Sequence, residues 1–525
     1  MSGAARSAAA DSTDVVSVAD GTPIRNISIR TLEIYDPIPR GRLAGFYRTA
    51  NRLHVRTRKG TVRSALLFRE GEPWSAERAA ESARVLRALR FLSPISIHAL
   101  AAGESTDVAV VTQDHWTTNP ELNFESGGGQ VYGSFSFSER NLLGRGLGFS
   151  LSYSKVPSGD SRSLSLSDPA VFGSRVRANF EAATGSGGKS NQFSVGQPFY
   201  AEDARHSYGV TWSRGSSEVQ LFDRALVAAT VSRRREEAEV RFGVGEKRSE
   251  GLVRRLVYSI SVTDRHFKAT RLEPGAPSEF AGGEEDLRLR RLGAEVVLWK
   301  PRFTQRRGIE QFDRVEDYDL GCSIALMGAV SPKFLGGTTN EGYVRVRLSG
   351  GLATRRFGFG FASTRFESRV HSGPRESVAR FEGRWVQQPS PDVSLVTAAY
   401  GVAAEDPGRD FQAVIGGLNG LRAYSVHALA GSQVWRLNAE TRWVAARNCW
   451  DLVSIGGAVF GDAARAWGAG SGDGPWHTDV GFGLRLSLPH SSLNEVARFD
   501  IAWPVSPTRD GRREPVLTFG SSQAF

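Results

Sequence analysis

The chain has very little of what several large protein classes depend on. Only two of its 525 residues are cysteine, Cys322 and Cys449, and their wide separation does not fit a metal site. This count excludes a fold held by many disulfides and favours two unpaired thiols. No apolar run approaches the roughly 20 residues that a membrane-spanning helix needs. Disulfide scaffolds and helical membrane proteins are therefore excluded.

The common motifs of catalysis and metal binding are also missing. The chain contains no G-x-S-x-G and no H-E-x-x-H sequence, and its nine histidines are scattered. Gly144 and Gly146 are not followed by a helical pattern, which excludes a dinucleotide-binding loop. Asp114, His115 and Trp116 could belong to a catalytic site, but they fit better as a polar junction between two regions of the chain. The sequence predicts no enzyme activity, no cofactor and no metal ion.

The net charge of +10 raises the question of a nucleic-acid partner. The arginines, however, mostly alternate with apolar residues along predicted strands, as Arg345 and Arg347 do between Val344 and Leu348. Such spacing places them on one face of a sheet, without the clustered basic patch of a nucleic-acid-binding protein. We assign them to the interior and the loops of the fold and expect no nucleic-acid partner.

What the sequence has in abundance is strands with one apolar and one polar face. Between residues 118 and 525, apolar residues alternate with small or polar ones in many segments, for example 147 to 153 and 482 to 488. Period-two alternation places the two sets on opposite faces of a sheet. A bilayer would cover so much outward apolar surface, and a closed barrel leaves no unpaired strand edge in lipid. We predict an all-β transmembrane barrel of about 16 antiparallel strands over residues 116 to 525, with long loops near 268 to 286 and 301 to 317.

The first part of the chain follows a different pattern. Ser75 is a suitable N-cap for a helix in which Ala79, Ala83 and Leu86 recur at helical spacing. The predicted elements are strands near 27 to 34, 95 to 97 and 108 to 110, and helices near 43 to 53 and from Ser75 onward. The order of strand, helices, strand and strand predicts a small α+β domain over residues 23 to 115.

Residues 1 to 22 precede this domain, and we expect them to form a flexible segment. An exported protein needs an apolar signal region, and Met1 to Asp20 contains none. Ala8 to Ala10 resembles the small-residue end of a signal-peptide cleavage site. We therefore expect that the signal begins upstream of Met1 or has been trimmed.

The predicted α+β domain resembles a polypeptide-transport-associated (POTRA) domain. The similarity is carried by Leu67 to Ser75, by the end of the helix at Leu89 to Leu92, and by Ile95 to Ile97. POTRA domains precede the barrel in the Omp85 superfamily of outer-membrane proteins. The segment Glu139 to Gly146 likewise resembles the connection between the first barrel hairpins in the BamA/TamA-like and D15-type members of that superfamily.

Two further motifs resemble a loop and a strand that meet inside Omp85 barrels. The loop motif lies within Gly416 to Tyr424 and consists of Gly420, Leu421, Arg422 and Tyr424, and the strand motif consists of Phe460 and Asp462. Ala423 and Ala464 stand where the family has glycines. In the family, the loop folds into the barrel and its arginine pairs with the aspartate of the strand. The resemblance therefore implies a contact between Arg422 and Asp462.

The end of the sequence resembles the C-terminal signal of outer-membrane barrels, an alternating strand that finishes on an aromatic residue. The matching residues are Thr518, Gly520 and Phe525, while Gln523 stands at a position that is usually apolar. The segment Arg498 to Pro504 resembles the penultimate strand. The resemblance places a barrel seam between the first and last strands, and the candidate seam residues are Leu122, Phe124, Leu517 and Phe519.

The resemblance implies a location and a function. The barrel would lie in the bacterial outer membrane with the POTRA-like domain in the periplasm, and the protein would insert or translocate polypeptides. The domain would capture a client strand at its sheet edge, and the seam would open laterally. The implied partners are the outer-membrane bilayer, unfolded outer-membrane or secreted client polypeptides, and periplasmic accessory proteins. The alternatives are a two-partner-secretion-like translocase and a passive pore or surface antigen.

Overall fold

The protein consists of an N-terminal α+β module followed by a closed β-barrel. The computed structural model describes residues 18–127, 130–156, 159–223, 226–354, 358–417, 420–468, 472–492, 496–507, 513–520 and 523. Residues 1–17, which include Ala8 to Ala10, lie outside this part. Of the segment predicted to be flexible, Gly21 and Thr22 are hydrogen-bonded to the backbone of Trp74.

The module is a three-stranded sheet covered by three helices. In chain order, its elements are β1 (Ile24–Leu32), α1 (Ala44–Leu53), α2 (Lys59–Ala65), α3 (Ala76–Ala88), β2 (Leu92–Ala102) and β3 (Ser105–Asp114). The sheet order is β1-β3-β2, with β1 parallel and β2 antiparallel to the central β3. Ser75 caps α3, because its side chain accepts a hydrogen bond from the Arg78 N–H at 3.3 Å. None of the helices in the described part of the chain is long and apolar enough to cross a bilayer.

Twenty antiparallel strands in the described part of the chain close into a barrel, with the last strand paired to the first. The barrel strands are Thr118–Gly127, Gln130–Leu142, Leu147–Val156, Gly159–Asp168, Arg177–Gly185, Gly188–Gln197, His206–Asp223, Leu226–Lys247, Val253–Phe267, Glu285–Lys300, Cys322–Ser331, Glu341–Thr354, Gly358–Val370, Pro374–Ser390, Val393–Glu405, Gln433–Cys449, Val453–Gly468, His477–Ser487, Ala497–Pro504 and Val516–Gly520.

Several short elements lie in the connections between the barrel strands. They are the strand pairs Phe303–Arg307 with Val315–Asp319 and Ala413–Ile415 with Leu429–Gly431, the two-residue strands Arg271–Leu272 and Gly472–Asp473, and the 3-10 turns Val171–Gly173, Ser278–Phe280 and Lys333–Leu335. Both strand pairs belong to loops that fold against the interior of the barrel.

The prediction of about 16 strands was wrong because strands with a hydroxyl-rich inner face look like loops in the sequence. Gly159–Asp168 and Gly188–Gln197 are strands, although serine, asparagine, glutamine and glycine dominate both. The strands Gln130–Leu142, Leu147–Val156 and Gly159–Asp168 pair so that their serines form three rows across the wall. The rows are Ser134–Ser154–Ser161, Ser136–Ser152–Ser163 and Ser138–Ser150–Ser165. Such residues suit a watery barrel interior as well as a loop.

The outer surface of the barrel is apolar, as the alternation predicts. Large apolar side chains at alternate positions are exposed on strand after strand, among them Leu122, Phe135, Leu151, Leu166, Ile260, Val296, Leu484 and Phe499. A monomeric soluble protein rarely exposes a continuous apolar surface of this extent. The surface is that of a membrane-spanning barrel, with polar side chains facing inward.

One end of the barrel rests on the module, and we call it the module end. Gly144, in the turn between the second and third barrel strands, has φ +70° and accepts a hydrogen bond from the Arg58 N–H at 2.9 Å. A Cβ at this position would lie 2.4 Å from the Arg56 carbonyl oxygen, so the close approach requires glycine. Asp114, at the junction, accepts a hydrogen bond from the Thr57 N–H at 2.6 Å. We call the opposite end the loop end.

A charge on the outer face should destabilise the barrel more than the same charge on the inner face. Ile260 is 59% exposed on the outside of the middle of Val253–Phe267, and the adjacent Ser261 faces inward. We expect Ile260→Arg to lower the free energy of unfolding by about 2–4 kcal/mol, because it places a guanidinium in lipid. Ser261→Arg, the matched control, should have a much smaller effect. Urea titrations in phosphatidylcholine vesicles measure both, and equal losses would contradict the assignment of the two faces.

Candidate functional site

The loop between the strands Val393–Glu405 and Gln433–Cys449 folds into the barrel. We call residues 406–432 the lumen loop; Leu418 and Asn419 lie outside its described part. A short hairpin, Ala413–Ile415 with Leu429–Gly431, forms its base. Beyond the hairpin, Leu421 and Tyr424 are buried against Phe460 and other inward-facing side chains of the wall. The predicted loop motif therefore lies inside the barrel.

Two glycines give the lumen loop its path. Gly416 has φ +149° and Gly420 has φ +88°, values that residues other than glycine rarely adopt. A Cβ at Gly416 would lie 2.0 Å from the Ser425 carbonyl oxygen. Ala423 does not have a positive φ, and its N–H donates to Asp479 Oδ2 at 2.9 Å. Alanine is therefore compatible with the backbone at this position.

Arg422 lies at the centre of the site, completely buried. Its Nε and Nη2 donate to the two carboxylate oxygens of Asp462 at 2.8 and 3.0 Å. Its Nη1 donates to Glu440 at 2.8 Å and to Asp500 at 3.3 Å. The guanidinium carbon lies 3.2 Å from the centre of the Phe460 ring. The structure thus brings together the two motifs, Arg422 and Tyr424 on the loop with Phe460 and Asp462 on the strand, and adds two carboxylates.

A network of buried charges surrounds Arg422. Glu440 Oε1 accepts from Arg442 at 3.0 Å and from Arg485 at 3.1 Å, while Asp500 pairs with Arg485 and with Arg498, the latter at 3.1 Å. All of these side chains are buried. A buried charge is tolerated only when it is paired and hydrogen-bonded, so each group depends on the others. We call these residues, with Arg422 and Asp462, the lumen charge network.

Sequence motifs did not predict most of this network. Glu440 and Arg442, like Arg498 and Asp500, lie two residues apart on one strand. In an alternating strand, such spacing places both side chains on the same face. Charged residues at inward positions of neighbouring strands are therefore the signal that could have found them.

A second loop folds inward from the module end. Residues 301–321, which we call the module-end loop, contain the hairpin Phe303–Arg307 with Val315–Asp319. Ile309 and Phe312 at its tip are buried, and the Ile309 carbonyl accepts from Arg442 Nη1 at 3.2 Å. The two long loops predicted from the sequence thus lie at opposite ends of the barrel, because residues 268–284 connect strands at the loop end.

One chain of ion pairs and a backbone hydrogen bond links the two inward loops. Arg422 of the lumen loop binds Glu440, Glu440 binds Arg442, and Arg442 binds the module-end loop. The module-end loop in turn binds the module, since Arg87 of α3 donates to both Asp317 oxygens at 2.7 and 2.9 Å. A continuous polar path therefore runs from the loop end of the lumen to the module.

Among the described residues, the barrel seam has few residue pairs. Val516–Gly520 pairs with Thr118–Gly127 over three residue pairs, from Leu517↔Ser126 to Phe519↔Phe124. The first strand pairs with its other neighbour over ten, from Thr118↔Glu139 to Gly127↔Gln130. Leu122, Phe124 and Leu517 are exposed on the outer face of the seam. Thr518 and Gly520 lie on the opposite, inner face, and Phe525 lies outside the described residues.

The chemistry available in the site is ion pairing and hydrogen bonding. The described residues contain no group of three or more side chains suited to hold a metal ion. Cys322 and Cys449 are both unpaired. The fold and site together define a closed antiparallel barrel into which a loop inserts and meets a buried charge network.

No protein-family model and no curated protein matches the chain. Similar solved structures include BamA from Haemophilus ducreyi lacking POTRA domains 1-3, at 13% identity and a TM-score of 0.41, covering 94% of this chain and 84% of that one. CdiB from Acinetobacter baumannii matches at 11% identity and a TM-score of 0.47, covering 95% and 73%. The alcaligin outer-membrane receptor FauA from Bordetella pertussis matches at 12% identity and a TM-score of 0.33, covering 80% and 78%.

Removal of the central guanidinium should release the lumen loop. We expect Arg422→Ala to lower the free energy of unfolding by about 3–5 kcal/mol, since Glu440, Asp462 and Asp500 would lose a buried partner. Residues 406–432 should become sensitive to protease, while the barrel still forms, as shown by heat-modifiable migration in gels. Arg347→Ala is the control, because Arg347 pairs with Glu295 at 2.8 Å but is half exposed, and such pairs contribute about 0–1 kcal/mol. An equally protected loop in Arg422→Ala would contradict the assigned role.

The module-end loop should be more stable at pH 5 than at pH 8. Burial, together with the charge of Glu310, raises the pKa of Glu316 from 4.5 to about 7. A glutamate with a raised pKa in the folded state binds more protons folded than unfolded, so its stabilising contribution is lost as pH rises from 4.5 through 7. We expect protection of amides 303–319 from hydrogen exchange, corrected for intrinsic rates, to fall by up to about tenfold per pH unit in this window.

Two variants test the origin of this pH dependence. Glu316→Gln should flatten it, because glutamine stays neutral throughout the window. Glu104→Gln, a change at an exposed position of the module, should leave it as in the unmodified protein. If Glu316→Gln retains the full difference between pH 5 and pH 8, another group is responsible.

Proposed function

We propose that the chain is an outer-membrane protein of the Omp85 type that inserts or translocates polypeptides. The observation that carries the proposal is that, in the described part of the chain, the seam has the fewest residue pairs of any contact between neighbouring barrel strands. Backbone groups without a partner are costly in lipid, so a short seam is the place where the wall opens most easily. An incoming strand can pair with the exposed edge and restore the missing hydrogen bonds. The seam would thus accept client strands one at a time.

The two inward-folded loops support this function over that of a passive pore. A pore needs an open path for its solute, and here the lumen loop and the module-end loop fold in from opposite ends. The buried pairs that hold them would have to break before a solute could pass the charge network. Two inward-folded loops and a seam with few described residue pairs favour lateral release into the bilayer over conduction along the barrel axis.

The module fits the role of a POTRA-like receptor for client strands. In the described part of the chain, the sheet ends at β2, which pairs on one side with β3 and has no strand on the other. An extended polypeptide can add to such an edge through backbone hydrogen bonds. Because Arg87 links α3 to the module-end loop, a client bound to the module lies beside the barrel entrance. The module would face the periplasm.

A disulfide across the seam should stop client insertion. Phe124 and Phe519 lie directly opposite each other, so Phe124→Cys with Phe519→Cys can form the bond in a background of Cys322→Ser and Cys449→Ser. In vesicles, we expect the reduced protein to accelerate the folding of a denatured outer-membrane barrel client. The oxidised protein should fall to the rate of protein-free vesicles and recover with reductant. Heat-modifiable migration of the client in gels measures the rate.

The matched control places the disulfide between strands that have a long ladder. Leu122 and Phe135 are also directly opposite and face outward, but they join the first and second strands. Oxidation of Leu122→Cys with Phe135→Cys should leave the activity unchanged. Full activity of the locked seam would contradict lateral opening. Unaccelerated client folding combined with a large steady conductance would favour the passive pore.

A further inference from the structure

One stretch of the module carries a high positive charge. Residues 37–69 contain eight arginines and one lysine but no aspartate or glutamate. Arg56 and Arg63 pair with Glu33 and Glu70, which lie outside the stretch, at 3.7 and 3.5 Å. Four exposed arginines, Arg40, Arg42, Arg48 and Arg52, form no ion pair with any residue that the structure describes. Within the described residues, no ion pair neutralises the charge of these four side chains.

The same stretch exposes large apolar side chains. Phe46 and Leu53 of α1 are 53% and 69% exposed, and Val55 follows them. Seven residues are nearly two helical turns, so Phe46 and Leu53 lie on one side of α1. Arg48 and Arg52, one turn apart, lie on another side. The helix is thus amphipathic, and its apolar side chains Phe46 and Leu53 are left largely exposed by the rest of the described protein.

This surface lies at the rim of the barrel. The hydroxyl of Tyr47 on α1 donates to the carbonyl of Trp450, in the turn between Gln433–Cys449 and Val453–Gly468. Trp450 is itself 73% exposed. The Tyr35 ring lies 4.8 Å from the His490 ring of the next module-end turn. The apolar side of α1 therefore sits close to where the apolar outer wall of the barrel ends.

We propose that this surface, formed by Arg40, Arg42, Phe46, Arg48, Arg52 and Leu53, binds anionic phospholipid in the leaflet at the module end of the barrel. Basic amphipathic helices place their apolar side chains at the boundary of headgroups and acyl chains, while their cations contact lipid phosphates. The nearby lipid-facing wall favours a bilayer over a protein partner. The proposal requires only that the barrel spans a bilayer, so it does not depend on the proposed function.

The test places a probe on the surface of the full-length protein. In the background of Cys322→Ser and Cys449→Ser, Leu53→Cys carries an environment-sensitive dye, and the vesicles contain a lipid with a nitroxide in its headgroup. We expect strong quenching of the dye in phosphatidylglycerol vesicles and much weaker quenching in phosphatidylcholine vesicles. Replacement of Arg40, Arg42, Arg48 and Arg52 by glutamate should reduce quenching in phosphatidylglycerol to the phosphatidylcholine level.

Leu100→Cys is the matched control position. Leu100 is half exposed on β2, eight residues beyond Leu92, whose carbonyl accepts a hydrogen bond from Arg314 of the module-end loop. At about 3.3 Å per residue, it lies roughly 26 Å farther along the strand, away from the barrel, so its dye should stay unquenched. Heat-modifiable migration verifies that each variant forms the barrel.

Three results would overturn the proposal. An unquenched dye at position 53 in phosphatidylglycerol would show that α1 does not reach the bilayer. Equal quenching at positions 53 and 100 would show that this surface has no special contact. Equal quenching in the two lipids would remove the role of the anionic headgroup.

Discussion

The interior of the barrel depends on the pairing of one buried arginine with three carboxylates. Arg422 comes from a loop, whereas Glu440, Asp462 and Asp500 come from three different strands of the wall. The three carboxylates converge only when those strands are paired in their correct register. The guanidinium in turn stays buried only when all three surround it. Loop insertion and the correct register of this part of the wall are therefore energetically coupled.

The same interaction also connects the loops that enter from the two ends of the barrel. Glu440 contacts Arg422 through one oxygen and Arg442 through the other, and Arg442 contacts the module-end loop. Displacement of the lumen loop would remove the bond between Glu440 and Arg422. Displacement of the module-end loop would remove the bond between Arg442 and the Ile309 carbonyl. The module is also linked to this network, because Arg87 of α3 forms an ion pair with Asp317 of the module-end loop. A connected set of ion pairs and hydrogen bonds therefore links the barrel wall, both loops and the module.

The sequence predicted the parts of this structure that rest on local patterns. Alternation predicted the apolar outer face and the closed barrel, and the resemblance of two short motifs predicted the contact of Arg422 with Asp462. Glu440 and Asp500 were missed because their role arises from the register of strands far apart in the chain. Helical spacing and a capping serine located α3, a local element. The strand number was underestimated because the serine-rich strands carry few apolar residues, so their pairing and not their composition marks them.

The three rows of serines give the barrel two different inner walls. On the wall formed by these rows, Ser136, Ser152 and Ser163 present neutral hydroxyl groups that both donate and accept hydrogen bonds. Hydroxyls can exchange one water molecule for another without separating charges, whereas the guanidinium groups of the other wall cannot move without breaking ion pairs. Water at the serine rows can therefore exchange its hydrogen-bond partners freely, whereas the charge network holds its partners in fixed positions.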